Sequence, residues 1–318
     1  MTYSIVARDT TTGELGIAVQ SKFFAVGAVV PWARAGVGAI ATQSYANTAY
    51  GPDGLALLEG GASAQETLDR LVAEDALRDQ RQVGIVDTHG RGATHTGRHC
   101  FAWAGGRTGP GYTAQGNILA GPAVVDGLAD TFAAGGRPFP ELLVACLAAA
   151  DAEGGDRRGR ESAALYVARE GAGYGGGNDR WVDIRVDDHP DPIGELGRLL
   201  ELQRLYLDRP ALDELVRAGE ELAGELRSLL GRVGAGPGSR FSAMYQPMSA
   251  LSDAAAAAER EARPMAGEPA QLPSNWDAQW QQALEDWMAV ENLEERTAAP
   301  GWVDRRVLEF LRGKADGA

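Results

Sequence analysis

Residues 1–27, MTYSIVARDTTTGELGIAVQSKFFAVG, decide how the rest of the chain is read. Two strand-like runs, residues 3–8 and 15–20, flank the polar turn Asp9-Thr10-Thr11-Thr12-Gly13-Glu14. In the second run Leu15, Ile17 and Val19 alternate with Gly16, Ala18 and Gln20, the period-two pattern of a strand with two unlike faces. A hairpin here ties down a chain end that would otherwise fray, and it puts Thr2 at the tip. Removal of Met1 from a Met-Thr start is a common processing step, and it leaves a threonine hydroxyl beside its own α-amine. That amine titrates near neutrality, so one residue supplies both nucleophile and general base. The plainer reading makes Thr2 only the first residue of an edge strand. These 27 residues by themselves do not separate the two.

Outward from this hairpin, residues 23–33 and 37–41 read as further short strands, punctuated by Pro31 and Gly36, and residues 42–47 as a polar stop. Residues 54–76 carry a helical pattern broken at Gly60-Gly61 and restarted by Ser63, whose partner Glu66 makes a capping box. Strand patterns over 82–88, 95–104 and 112–119 come next. Two helices follow, one opened by Pro122 and one over 140–150, and then strands over 162–167 and 181–186. Two helix pairs separated by blocks of strands predict an α+β fold, sheets with helices packed outside. Beyond Asp187-Asp188-His189-Pro190 the pattern turns helical, over 193–207 and 211–230. Residues 231–273 are rich in Gly, Ala, Ser and Pro and read as a linker, the alanine run 254–258 as a transient helix. Four of the seven tryptophans, Trp276, Trp280, Trp287 and Trp302, fall in the closing segment, which predicts a small helical module. The division expected is therefore 1–207, 208–273 and 274–318.

A net charge of −14 argues against nucleic acid or an anionic membrane surface as partner. No run is long and apolar enough to span a bilayer, and the start lacks a signal-peptide layout. Two cysteines, Cys100 and Cys146, make no disulfide framework, so a cytoplasmic protein with reduced thiols is expected.

The glycine run 171–176 fits G-x-G-x-x-G by letter, but a dinucleotide fingerprint opens a helix, and a strand pattern follows here. His95, His99 and Cys100, with His89 nearby, lack a second cluster at ligand spacing, so no metal and no cofactor is expected. His95 fits better as a strand end lining a pocket. Ser162 has no G-x-S-x-G frame. The pattern that carries chemistry is distributed. It combines Thr2, the residues 42–47, Gly116-Asn117 at a strand-to-helix junction, and the run 154–162. In each, backbone amides or short polar side chains can converge on one point.

Five motifs in order, MTYSIVARDTTTGELGIAVQSK, VVPWARAGVGAIATQSYAN, QGNILAGPAVVD, GGDRRGRESAAL and RWVDIRVDDHPDPIGEL, resemble the DUF1028 family over residues 1–207. That family is placed in the N-terminal-nucleophile (Ntn) hydrolase superfamily, and the resemblance implies the four-layer αββα sandwich. It implies Thr2 as nucleophile and the amides around Thr42, Gln43 and Ser44 as part of an oxyanion hole. Gly116 and Asn117 fall where proteasome-like relatives place a Gly-Ser pair. Asp156 and Ser162 resemble the Asp and Ser that orient the terminal amine. Where those relatives carry a lysine on the third strand, this chain has Val30-Pro31-Trp32, and its nearest cations are Lys22, Arg8 and Arg34. Ser4 is a second hydroxyl near the tip. The tail, with EDWMAVENLEER and VLEFLR, resembles a peptidoglycan-binding-like module. Two functions follow. One is an amidohydrolase acting on a small-molecule or peptide-like amide. The other is a non-catalytic Ntn-fold binding or scaffold protein with a partner-recognition tail, in either case with self-association as a further expectation.

Overall fold

The computed structural model describes residues 2–241 and 266–317. The opening hairpin is β1 (Thr2–Arg8) and β2 (Leu15–Ser21), paired antiparallel from Thr2 opposite Ser21 to Arg8 opposite Leu15. The Asp9 carboxylate closes the turn by accepting from the amides of Thr11 and Thr12. The chain then forms β3 (Pro31–Arg34) and β4 (Gly38–Ser44), followed by helices α1 (Tyr50–Glu59) and α2 (Ala64–Glu74). Strands β5 (Arg81–Asp87), β6 (Gly92–Thr96), β7 (Gly105–Gly109) and β8 (Tyr112–Asn117) lead to helices α3 (Ala123–Ala134) and α4 (Phe139–Ala152). Strands β9 (Ser162–Ala168) and β10 (Arg180–Val186) and helix α5 (Pro192–Leu207) follow.

Six strands form one antiparallel sheet in the order β10-β9-β2-β1-β8-β7, and β3-β4-β5-β6 form a second. The alternation in the hairpin sorts side chains to two faces. Val6, Ile17 and Val19 meet Ala39, Ala41 and Val86 between the sheets. Tyr3, Ile5 and Ala18 point the other way, against Leu128 of α3 and Leu143 and Leu147 of α4. On the outside of the smaller sheet, Ile40 and Ile85 pack under Leu55, Leu58, Leu68 and Leu71 of α1 and α2. The layers therefore run helix, sheet, sheet, helix. Each of the Val, Ile and Leu side chains among these contributes roughly 1.5–3 kcal/mol by leaving water, which makes the hairpin's register expensive to shift. The expected capping box is formed, Ser63 accepting from the Glu66 amide while the Glu66 carboxylate accepts from the Ser63 amide.

The structure departs from the sequence reading in four places. Residues 23–30 are not a strand: Ala25 turns left-handed at φ 53° and a 3-10 turn, Val26–Ala28, follows. The pattern at 95–104 splits, because His95-Thr96 ends β6 and the chain runs irregularly to β7. Residues 211–219 are not helical. Leu212–Glu214 is a 3-10 turn and β11 (Leu215–Arg217) pairs with β12 (Trp302–Asp304), so helix α6 begins only at Glu220 (Glu220–Arg232). Finally, residues 232–241 and 266–273 are not free linker, since Ala235 and Phe241 are buried, Ala266 bridges Ala298, and the Ala270 amide bonds to the Pro300 carbonyl. The alanine run 254–258 lies outside the described residues.

The chain divides into two compact units, Met1–Leu200 and Glu201–Ala318. In the second, α6, α7 (Ala278–Val290) and α8 (Arg305–Asp316) share one core, in which Leu226 and Leu230 meet Trp276, Trp287, Leu308 and Leu311. Residues 220–232 thus share a core with residues 278–316, because the apolar face of α6 is covered by α7, which carries Trp280 and Trp287, and by α8.

Candidate functional site

Strand pairing puts four polar residues in one row. Asn117 of β8 stands opposite Thr2 of β1, Thr2 opposite Ser21 of β2, and Ser21 opposite Ser162 of β9. Thr2 Oγ1 lies 3.0 Å from Ser21 Oγ, and Thr2 is only 6% exposed. A cavity of about 390 Å³ opens on this residue. Thr2, Gln43 and Ser44 form its polar side, the 23–30 loop supplies Phe23, Val26, Val29 and Val30, and Tyr45 and Arg158 complete the wall.

Beneath Thr2 the two sheets are joined by a buried amide network. The Ser4 hydroxyl donates to Gln43 Oε1 at 2.7 Å and accepts from Gln115 Nε2 at 2.7 Å. Gln43 Nε2 donates to Gln82 Oε1 at 2.9 Å and reaches the Thr2 carbonyl at 3.4 Å. Asn117 Nδ2 donates to the same Gln82 oxygen at 2.9 Å, and Gln82 Nε2 donates to the Gly116 carbonyl at 2.7 Å. A polar cluster this deep is stabilising only when its members are satisfied, and these bonds satisfy one another. Gly84 makes room for it, since a Cβ there would lie 2.2 Å from Gln115 Oε1. Ser4 and Asn117 thus hold the floor of the site rather than facing the cavity.

Asp156 and Ser162 act on the loop that walls the cavity. The Asp156 side chain is fully buried and accepts from the amides of Lys22 and Arg158. Ser162 donates its hydroxyl to the Phe23 carbonyl and accepts from the Val26 amide. Residues 42–44 close β4 instead of forming a loop. The Thr42 amide donates to the Val30 carbonyl and its hydroxyl to the Asn47 carbonyl, so Thr42 is committed to structure. Amides alternate sides along a strand, so the next one directed to the β3 side is Ser44's, beyond the end of β3 and on the cavity wall. Gly116 sits opposite Tyr3 and its open Cα position is packed by Leu119.

Three expected pocket residues lie elsewhere. Arg34 pairs with Glu59, His95 Nε2 meets the Arg78 carbonyl, and Lys22 Nζ pairs with Glu161 at 3.5 Å. The cation on the cavity wall is Arg158, which sequence reading passed over inside the run Arg157-Arg158-Gly159-Arg160. Ser21, Gln82 and Gln115 were missed as well, and Gln43 was expected for its backbone amide rather than for the side chain that joins the network. The signal for the glutamines was present, as three glutamines in apolar strand patterns are polar groups where a core is expected. Burial pushes the Cys100 thiol above its usual value and that of Cys146 up to about 12, which leaves neither as a ready nucleophile. Among the described residues no group of His, Cys, Asp and Glu is placed to hold a metal ion, and no helix is long and apolar enough to cross a membrane.

Arg81 fixes the other rim of the cavity. Its guanidinium donates to the Tyr45 carbonyl and to Asp75, and the bond from Arg81 holds the Asp75 carboxyl well below the usual carboxylate range. Because the folded pKa is depressed, this stabilisation is complete above the unfolded value of about 3.9 and is lost as pH falls below it. Asp75→Asn is expected to lower the melting temperature near neutral pH and to flatten its decline below about pH 4, which a thermal melt series against pH checks.

The family model for DUF1028, described as a family of unknown function, matches residues 2–196. The chain belongs to the DUF1028 family. A crystal structure of protein SPO2555 from Silicibacter pomeroyi, itself assigned to DUF1028, is similar at 30% identity and a TM-score of 0.58, covering 64% of this chain and 89% of that one. In this DUF1028 chain residues 268–311 also match a model described as "Putative peptidoglycan binding domain". No curated protein matches the chain.

Proposed function

We propose that this protein is an Ntn-type amidohydrolase in which Thr2, exposed by loss of Met1, is the nucleophile. The observation that carries this reading is the Thr2 hydroxyl at a strand end, held 3.0 Å from Ser21 and open to a cavity of small-molecule size. The helix–sheet–sheet–helix layering is the arrangement that the superfamily uses to present such a residue. In the reaction, Thr2 Oγ attacks the amide carbon while the terminal amine takes its proton. In this reading the Ser44 amide stabilises the oxyanion. The C–N bond breaks as the proton passes to the leaving amine, and water then cleaves the Thr2 ester to release the acid. Asp156, Ser162 and the glutamine network serve this chemistry by holding the walls and floor.

The expected result of intact mass spectrometry on active protein is the mass without Met1, and a reactive acylating probe should modify Thr2. Retention of Met1 in active material would remove the base and sink the mechanism. A second reading, a binding protein whose C-terminal unit recognises a partner, is favoured by the match over residues 268–311. A chain that keeps Met1 and takes no label at Thr2 would support it.

A further inference from the structure

The turn that walls the Thr2 cavity also walls a second one, of about 310 Å³. Val26, Val29 and Val30 line the first, Gly27 and Ala28 the second. The second cavity follows from the unequal width of the two sheets. β3, the edge strand of the four-stranded sheet, packs on β2 and β9, whereas the six-stranded sheet runs on to β10. Residues paired directly across strands share a face. Asp183 stands opposite Tyr166 and Arg185 opposite Ala164, which puts both on the face that elsewhere meets the smaller sheet. The inner strands fill the space between the sheets with Val6, Ile17 and Val19. The edge strand β10 brings charge there instead, and Arg180, Asp183 and Arg185 line the cavity.

These three charges are not equivalent. Arg180 pairs with Asp183 at 3.3 Å, and its guanidinium carbon lies 5.7 Å from the centre of the Tyr166 ring. Arg185 carries the charge left over, since among the described residues no ion pair or hydrogen bond engages its guanidinium. Its stem is nonetheless fixed. A Cβ on residue 27 would lie 2.6 Å from Arg185 Cδ, so Gly27 lets the stem lie flat across the turn with the charged head at the cavity. The apolar part of the lining is rigid too. Trp32 Nε1 donates to the Val29 carbonyl at 3.0 Å, and the indole packs so close on Gly51 that a Cβ there would lie 2.2 Å from Trp32 Cδ2. Pro31, Leu55 and Ala28 lie beside it on the wall. A preformed concavity that joins a fixed indole to an uncommitted guanidinium has the makings of a small-molecule site, and a guanidinium fork matches a carboxylate. From this combination we infer that the cavity is a second ligand site, for a small organic anion with a flat apolar body. The carboxylate meets Arg185 and the flat body lies on Trp32. The volume is at the small end of the roughly 300–1,000 Å³ usual for such sites, which suits a ligand of one or two rings. The inference does not depend on the chemistry at Thr2.

Calorimetry on the full-length native protein, with naphthoate, the corresponding naphthamide and acetate as probes, tests it. Naphthoate is expected to bind roughly 10- to 100-fold more tightly than the neutral amide, the range set by a hydrogen bond to a charged group. Acetate, which lacks the flat body, should bind more weakly than naphthoate. Arg185→Met keeps a stem over Gly27 and removes the charge, so acid and amide should then bind equally. Ala28→Trp, at an exposed position on the turn, should fill the cavity and weaken both. Thr2→Ala should leave naphthoate binding unchanged, which separates this cavity from the one at Thr2. Equal binding of acid and amide to the native protein, or an acid preference that survives Arg185→Met, would overturn the inference. So would naphthoate binding that survives Ala28→Trp, that is lost in Thr2→Ala, or that is not seen at all.

Discussion

Thr2→Ala is expected to reduce amide hydrolysis by roughly 10³- to 10⁶-fold, the range seen when a nucleophile that acts as a unit with its base is removed. On the proposed mechanism the substitution deletes the attacking oxygen and leaves the terminal amine, the Ser44 amide and the cavity walls in place. Its cost in stability is expected to be small. Thr2 is buried but sits at the end of β1, and its side-chain hydrogen bond is to Ser21, a net contribution of about 1 kcal/mol. Ser21→Ala is the control. It removes the same hydrogen bond without the nucleophile, so it should cost similar stability and a far smaller fraction of the rate. Progress curves with a sensitive amide substrate, set beside thermal melts of both variants, check the pair. If Thr2→Ala keeps more than about a tenth of the native rate, the nucleophile lies elsewhere in the chain.

The sequence carried the first unit well because its signals are local and repeated. The alternation Leu15-Ile17-Val19 placed β2, the Ser63–Glu66 box placed α2, and Pro122 placed the start of α3. What it could not carry is the row Asn117–Thr2–Ser21–Ser162, because that row is a property of register across four strands of which only β1 and β2 are neighbours in the chain. Ser21 falls just past the predicted run 15–20, and only the pairing makes it a neighbour of Thr2. The same holds for Arg158, one of three arginines within four residues, of which the fold turns one to the cavity. Residues 211–219 failed for a different reason. Leu215-Val216-Arg217 fits helical spacing but adopts a strand because Trp302-Val303-Asp304 offers it a ladder, a tertiary effect that outweighs local pattern. Residues 23–30 read as an apolar strand since loops are expected to be polar. Here the apolar loop is what walls a cavity.

Asp304→Ala is expected to be among the most damaging single changes to the second unit, at about 3–5 kcal/mol. Arg296 is only 1% exposed, and its charge is met by Asp304 at 2.7 Å and Glu214 at 2.8 Å, with the carbonyls of Arg204 and Asp208 taking further donors. Asp304 is fully buried and also caps α8, accepting from the amides of Arg306 and Val307. Its removal therefore leaves a buried guanidinium half-compensated and a helix start uncapped at once, the second alone contributing roughly 1 kcal/mol. Four of the seven tryptophans, Trp276, Trp280, Trp287 and Trp302, lie in this unit, so tryptophan fluorescence in a denaturant titration reports its unfolding beside that of the three in the first unit. The transition should move to lower denaturant, while hydrolysis at the Thr2 site, whose residues all lie within Met1–Leu200, should persist under native conditions. Replacing the pair together, Arg296→Met with Asp304→Leu, should cost less than Asp304→Ala alone, because the desolvated charge is then removed instead of stranded. A double variant at least as unstable as the single would mean that the ion pair contributes through its geometry rather than through the charge left behind.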